Sequence, residues 1–188
     1  MLQAYIVLIV LTTVVLLVIL RTAILRKSGI VALRFGMMDK KDFLIVPLAF
    51  LLFYLVLANT FNWPLAGGSL FEDGIISWTG VFFCLCALAL FAYALVSFGS
   101  SFRVGLDEDT PGSLITDKAF AISRNPIYTA FLILLAGLVC VFINWLFLLF
   151  WLGAFFLIRR QVRLEEKSLH KIYGKAYEQY CKKVRRFL

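Results

Sequence analysis

The chain has 188 residues, 62% of them hydrophobic and 16% charged, with a mean hydropathy of +0.93 and a formal net charge of +8. A soluble domain is about 45–50% apolar and about 25% charged, so this composition excludes a water-soluble globular fold and makes lipid the solvent. No basic patch is interleaved with aromatics on a soluble domain, which excludes nucleic acid as the partner of the positive charge; anionic headgroups account for it.

The first apolar run, Leu2–Leu20, has about 20 residues, enough at 1.5 Å per residue to cross a hydrocarbon core of roughly 30 Å. No basic residue precedes it and no small-x-small cleavage site precedes Arg21, so a retained helix is expected rather than a removed leader. The second and third runs, Phe43–Trp63 and Trp78–Phe98, are of similar length. The loop between them, Pro64–Ser77, carries Glu72 and Asp73 but no basic residue. The last run, Ile127 to Ile158, has 32 residues and would make a helix of about 48 Å, too long for one straight span and short for two full ones. Asn144 lies near its middle, followed by Trp145, a residue suited to a membrane interface. Two short spans are predicted, Ile127–Ile143 and Trp145–Ile158, joined by a tight turn, with the second continuing past Arg159.

The basic residues orient these spans. Arg21, Arg26, Lys27, Arg34, Lys40 and Lys41 lie between spans one and two, Arg103, Lys118 and Arg124 between three and four, and the other ten of the 19 run from Arg159 to Arg186. All fall on one face of a five-span arrangement with the N-terminus outside and the C-terminus cytoplasmic. A four-span arrangement would put the ten C-terminal charges on the opposite face. The predicted fold is therefore all-α: one integral membrane domain over residues 1–188 with about five transmembrane helices. The last two form a short helical hairpin, and a cytoplasmic amphipathic helix follows.

Cys84, Cys86 and Cys140 lie in apolar runs and Cys181 near the basic tail. A C-x-C pair on a helix points its thiols in different directions, and the only histidine, His170, is far away in sequence. These thiols read as buried small hydrophobes, with no metal site.

Two segments on the basic side can carry chemistry. The first, Gly99–Asn125, runs into Ser123-Arg124-Asn125-Pro126-Ile127-Tyr128. Asn followed by Pro suits a helix start: the Asn side chain caps free N–H groups, and Pro at the first helical position has no N–H to leave unpaired. Flanked by Arg124, such a helix start can hold a carboxylate, or it can be an ordinary capped membrane helix with a snorkelling arginine. The second segment, Arg159–Leu188, reads as an amphipathic helix with Leu169, Ile172, Tyr173, Ala176, Tyr180 and Val184 along one stripe and a break at Gly174. Glu165 and Glu166 are out of place beside an anionic leaflet. They pair with Arg163, Lys167 and His170 along the helix, or they bind the ammonium or sulfonium part of a ligand.

Taken in order, Leu114-Ile115-Thr116, Ser123 to Tyr128, the hairpin, Arg163-Leu164-Glu165-Glu166-Lys167-Ser168-Leu169, Tyr173-Gly174-Lys175-Ala176-Tyr177-Glu178-Gln179-Tyr180 and Val184-Arg185-Arg186 resemble a known superfamily. It is that of the isoprenylcysteine carboxyl methyltransferases and phospholipid methyltransferases, whose C-terminal pattern is R-H-P-x-Y, a helical hairpin, E-E-x-x-L, G-x-x-Y-x-x-Y and a final basic pair. The resemblance covers roughly residues 99–188 and makes them the cofactor-binding part, while residues 1–98 are three spans that vary with the substrate. It implies methyl transfer from S-adenosylmethionine to a lipid-like or other hydrophobic or amphipathic acceptor, among membrane lipids. By position it implies that Leu114 and Ile115 touch the cofactor through their backbone, that Arg124, Asn125 and Tyr128 line its pocket, and that Glu165 or Glu166 holds its ammonium. Arg124 and Asn125 are then the catalytic candidates. The chain departs from the pattern at Asn125, where the family usually has histidine, and at Lys118, where glycine is common. Asn donates and accepts hydrogen bonds but does not titrate near neutral pH. Membrane sterol reductases share a related C-terminal half but bind NADPH and are usually larger. A third alternative is a non-enzymatic membrane protein that retains the fold.

Overall fold

The computed structural model of the chain describes residues 2–27, 45–63, 71, 73–98 and 113–188. Among them are seven helices and no strand: α1 (Leu2–Lys27), α2 (Ile45–Thr60), α3 (Gly74–Phe98), α4 (Ala119–Ile122), α5 (Pro126–Phe142), α6 (Trp145–Tyr173) and α7 (Lys175–Lys183). Arg34, Lys40, Lys41, Arg103 and most of the Pro64–Ser77 loop lie outside the described residues. By length and composition α1, α3 and α6 can cross a membrane, and Pro47–Thr60 and α5 are shorter apolar helices. Large apolar side chains such as Phe50, Ile9 and Phe156 stand outward and exposed, as a lipid solvent allows.

The helices outrun the apolar runs that predicted them. α1 continues through Arg21 to Lys27, and α6 passes Ile158 to end at Tyr173. Long cationic side chains sustain a helix while their charges reach the headgroups, so leaving the hydrocarbon does not end it. Backbone geometry does. Gly174, at φ 50°, breaks α6 from α7. The break resets the helical phase and corrects the predicted stripe: Ala176 is exposed, and Tyr177 takes its place in the interior with Tyr180.

The predicted split of the last apolar run falls at Asn144. Ile143 closes α5 in a left-handed conformation (φ 43°, ψ 48°), and the buried Asn144 side chain accepts a hydrogen bond from Leu146 N at 2.8 Å to start α6. A two-residue link of this kind turns the chain back on itself, so α5 and α6 run antiparallel.

α3 packs most extensively on α5, and two glycines set how closely. A Cβ on Gly80 would lie 2.6 Å from the Gly137 carbonyl oxygen, and one on Gly137 would lie 2.7 Å from that of Gly80. Between apolar helices in lipid the hydrophobic effect contributes little, so close approach through small residues supplies the attraction. The rest of the contact follows this register, with Cys84 Sγ donating to the Leu134 carbonyl at 3.7 Å and Phe91 against Phe131. Val7, Val10 and Leu11 of α1 and Val56 of α2 complete the core. All four cysteines are free; Cys84 is buried, but Cys86 is exposed on the outward side of α3, which corrects the reading of every thiol as interior.

Candidate functional site

The hairpin explains why residues distant in sequence meet. Asn125 lies 19 positions before Asn144 and Glu166 lies 22 after it. Antiparallel helices folded at that turn therefore bring the start of α5 level with the polar half of α6. Tyr128, one turn into α5, donates its hydroxyl to Glu165 Oε1 at 2.5 Å, and Gln161 Nε2 donates to the same oxygen at 3.1 Å. Glu166, on the neighbouring position, is buried. Its Oε1 lies 3.1 Å from Arg124 Nη2 and 3.4 Å from Asn125 Nδ2. Its Oε2 takes both Nη2 (2.6 Å) and Nε (2.8 Å) of Arg186.

The C-terminal segment is stitched to the start of α5 by its backbone. Arg124 N donates to the Arg185 carbonyl at 2.9 Å, and the Arg186 carbonyl accepts from Asn125 Nδ2 (3.0 Å) and Ser123 Oγ (3.3 Å). Ser123 Oγ also accepts from Asn125 N at 3.1 Å and lies 3.1 Å from Thr129 Oγ1, which in turn donates to the Asn125 carbonyl. Behind this network α7 packs on α4. Tyr180 donates its hydroxyl to the Phe120 carbonyl at 2.6 Å, and the Phe120 ring meets Phe98 edge-on. Leu114 and Ile115 pack half-buried against the Phe120, Tyr177 and Tyr180 cluster.

Asn125 does not cap α5 with its side chain, contrary to the expectation from the Asn-Pro pair. Its amide is drawn instead to the Arg186 carbonyl and to Glu166. Pro126 does occupy the first turn, so the helix begins where predicted, but without a cap bond from the Asn125 side chain. The expected partners of the acids also change. Glu166 is satisfied by remote arginines, while Arg163 and Lys167 are exposed and His170 pairs with Glu178 across the Gly174 break at 3.0 Å.

Burial governs the electrostatics here. Arg124 and Glu166 side chains are about one-tenth exposed (11% and 10%), so their pairing is little screened by water. The hydrogen bond from Arg186 to Glu166 holds that guanidinium more firmly in its charged form than an arginine in water. Burial pushes the Tyr177 and Tyr180 phenols well above their ordinary value, with nearby Glu166 adding to both, so both stay protonated at neutral pH. In this cluster, among the described residues, Arg124 Nε is buried without a hydrogen-bond partner, and the buried Tyr177 hydroxyl has the Cys181 thiol beside it in place of an oxygen or nitrogen partner.

The structure thus brings Arg124, Asn125, Tyr128, Glu165 and Glu166 into one cluster and leaves Leu114 and Ile115 on its aromatic flank. Sequence reasoning missed Arg186, Ser123 and Thr129 as members. The visible signal was the Val184-Arg185-Arg186 ending, but a basic pair after an amphipathic helix reads first as a headgroup contact. An apolar recess of about 440 Å³, lined by Gly74, Ile75, Trp78, Thr79 and Phe82, lies at the opposite end of α3 from Ser97 and Ala119. Its lining carries no ionisable group, in contrast to the charged cluster.

Residues 75–176 match the protein family described as phospholipid methyltransferase. The match begins in α3, earlier than the resemblance from residue 99, and contains every residue of the cluster except those of the C-terminal segment. No individual curated protein matches the chain.

Proposed function

The chain belongs to the phospholipid methyltransferase family, which implies membrane methyltransferase activity, and from that premise we propose that it uses S-adenosylmethionine to methylate a hydrophobic or amphipathic acceptor reaching the site from the bilayer. The observation that carries this reading is the meeting of Arg124, Asn125 and Tyr128 with Glu165 and Glu166, in pairs 37 to 42 residues apart.

The residues present suit such a cofactor. Its amino-acid end carries an ammonium and a carboxylate, and the cluster offers the complement of each. Glu165, half-buried and steadied by Tyr128 and Gln161, takes the ammonium. Arg124, with a buried Nε that lacks a partner, takes the carboxylate, aided by the uncapped start of α5. Leu114 and Ile115 form the apolar flank.

When bound, S-adenosylmethionine supplies an electrophilic methyl group on a sulfonium. The protein contributes position and dryness: the acceptor nucleophile must lie in line with that methyl, away from water. Asn125 holds the C-terminal segment against Glu166 through two hydrogen bonds and does not titrate near neutral pH, so it orients and does not shuttle a proton. The wider arrangement we propose has about five spans, N-terminus outside and C-terminus cytoplasmic. The two-residue turn before α6 supports it, since a crossing α6 requires α5 to cross back. The helix from Lys175 then lies as an amphipathic element on the cytoplasmic face.

Calorimetric titration of the purified protein with S-adenosylhomocysteine tests the assignment. Loss of one charge-assisted hydrogen bond costs about 1.5–3 kcal/mol, so Glu165→Gln should bind roughly ten- to a hundredfold more weakly. Arg124→Ala should weaken binding as well, whereas Lys182→Ala, on an exposed position of α7, should not. Equal binding by Glu165→Gln and wild type refutes the ammonium assignment, and binding of NADPH in place of S-adenosylhomocysteine would support the reductase alternative. Transfer of labelled methyl into a total lipid extract, read by mass spectrometry, identifies the acceptor.

A further inference from the structure

Glu166 is shared unequally between its two arginines. Arg186 reaches Oε2 with two nitrogens, at 2.6 and 2.8 Å, whereas Arg124 reaches Oε1 with one, at 3.1 Å, and keeps Nε buried without a partner. The two guanidiniums thus share one carboxylate, Arg186 from a side chain that is 38% exposed and Arg124 from one that, like Glu166, is nearly removed from water. A buried guanidinium with an unpaired N–H is incompletely compensated, and an anionic acceptor beside Arg124 would complete it. Asn125 and Ser123 hold the Arg186 carbonyl, and Arg124 N holds that of Arg185, so the backbone that carries Arg186 is tied to the start of α5 by contacts other than its ion pair with Glu166.

Resting on the cofactor reading above, we propose that Arg186 is a positioning residue: by engaging Glu166 it keeps Arg124 available for the carboxylate of the cofactor. Without Arg186, the buried Glu166 carboxylate has Arg124 as its remaining cationic partner, closes on it and competes with the ligand. The functional unit therefore extends past residue 176, where the family match ends, to the third residue from the C-terminal end of the sequence. It also divides the work of the adjacent acids. Glu165 faces the ligand, and Glu166 sets the charge and direction of the arginine that receives the ligand's other end.

The test is titration of four proteins with S-adenosylhomocysteine: wild type, Arg186→Ala, Glu166→Gln and the double variant. Arg186→Ala should bind about tenfold more weakly, the scale of one lost charge-assisted contact, and adding Glu166→Gln should recover most of that loss because the competing charge is gone. A part played only in fastening the chain end predicts the opposite, since the double variant would bind no better than Arg186→Ala. That outcome overturns the proposal, as does binding by Arg186→Ala within twofold of wild type. If Arg186→Ala does not fold, Glu166→Gln alone decides: tighter binding than wild type supports the proposal, and weaker or equal binding overturns it. Failure of the wild-type protein itself to bind S-adenosylhomocysteine would instead refute the cofactor reading, a result distinguishable from any of these.

Discussion

Adding one methyl group at Gly137 should separate α3 from α5. The Cβ of Gly137→Ala would lie 2.6 Å from Cys84 Sγ, 2.7 Å from the Gly80 carbonyl oxygen and 3.1 Å from Cys84 N. The thiol can rotate away, but the backbone atoms cannot, so the helices must part by about 0.7 Å to regain ordinary contact near 3.4 Å. Overpacking of this kind costs about 1–3 kcal/mol, and the better helix propensity of alanine returns about 0.5–1 kcal/mol. The net loss of roughly 1–2 kcal/mol corresponds to about 3–6 °C in melting temperature for a chain of this size. Gly153 supplies the control, because a Cβ there meets nothing within 4 Å. Thermal unfolding in one detergent should place Gly137→Ala below wild type and Gly153→Ala level with it or slightly above. Cys84→Ala combined with Gly137→Ala should recover only part of the loss, since the clash with the Gly80 backbone remains. Should Gly137→Ala melt with wild type, the close α3–α5 approach described above is wrong.

A reporter fused after Leu188 should be cytoplasmic and one inserted at Gly68 external; a cytoplasmic signal from position 68 would overturn the proposed orientation. Tyr180→Phe should destabilise the protein by about 1 kcal/mol by leaving the Phe120 carbonyl without its donor, whereas Tyr177→Phe should be neutral or stabilising because that buried hydroxyl makes no ordinary hydrogen bond. Both phenols titrate above their ordinary value near 10 in the folded chain, so the stability they contribute is complete below about pH 10 and is lost as pH rises further. Chemical denaturation across that range should show a shallower alkaline loss for Tyr177→Phe than for wild type.

Much of the architecture is legible because it follows from one-dimensional signals. Apolar run length fixes where helices can lie in lipid, and Asn144 divides a run of a length that suits neither one span nor two. Hydropathy does not mark where a helix stops after leaving the hydrocarbon, but a glycine does. α6 runs on past Ile158 because propensity continues where hydropathy fails, and it ends at the glycine that marks a break in the sequence, Gly174. The change of phase across Gly174 is not legible in the same way. A single stripe drawn across residues 169–184 assumes that the phase survives the break, and one positive φ places Tyr177 inside and Ala176 outside. Gly80 and Gly137 carried no signal on their own, since a glycine in a span is informative only when its partner helix and register are known.

The candidate site shows a sharper limit. Arg124, Asn125, Tyr128, Glu165 and Glu166 can be picked out because they sit in unusual local settings, an Asn-Pro helix start and an acidic pair among bases. Their partners cannot be, since local spacing favours i to i+4 pairing of Glu166 with surface charges, and that pairing is worth only a few tenths of a kcal/mol. Once the hairpin brings α5 alongside α6, Glu166 is taken out of water, and a weak exposed partner cannot offset the desolvation of a buried carboxylate. Geometrically fixed, charge-assisted donors can. Arg124, itself buried, and Arg186, which offers two nitrogens to one oxygen, supply that because the backbone of each is tied to the other's segment. The same folding step that hides the acid therefore selects its partners, which is why Asn125 gives up its role as a cap to bind the end of the chain.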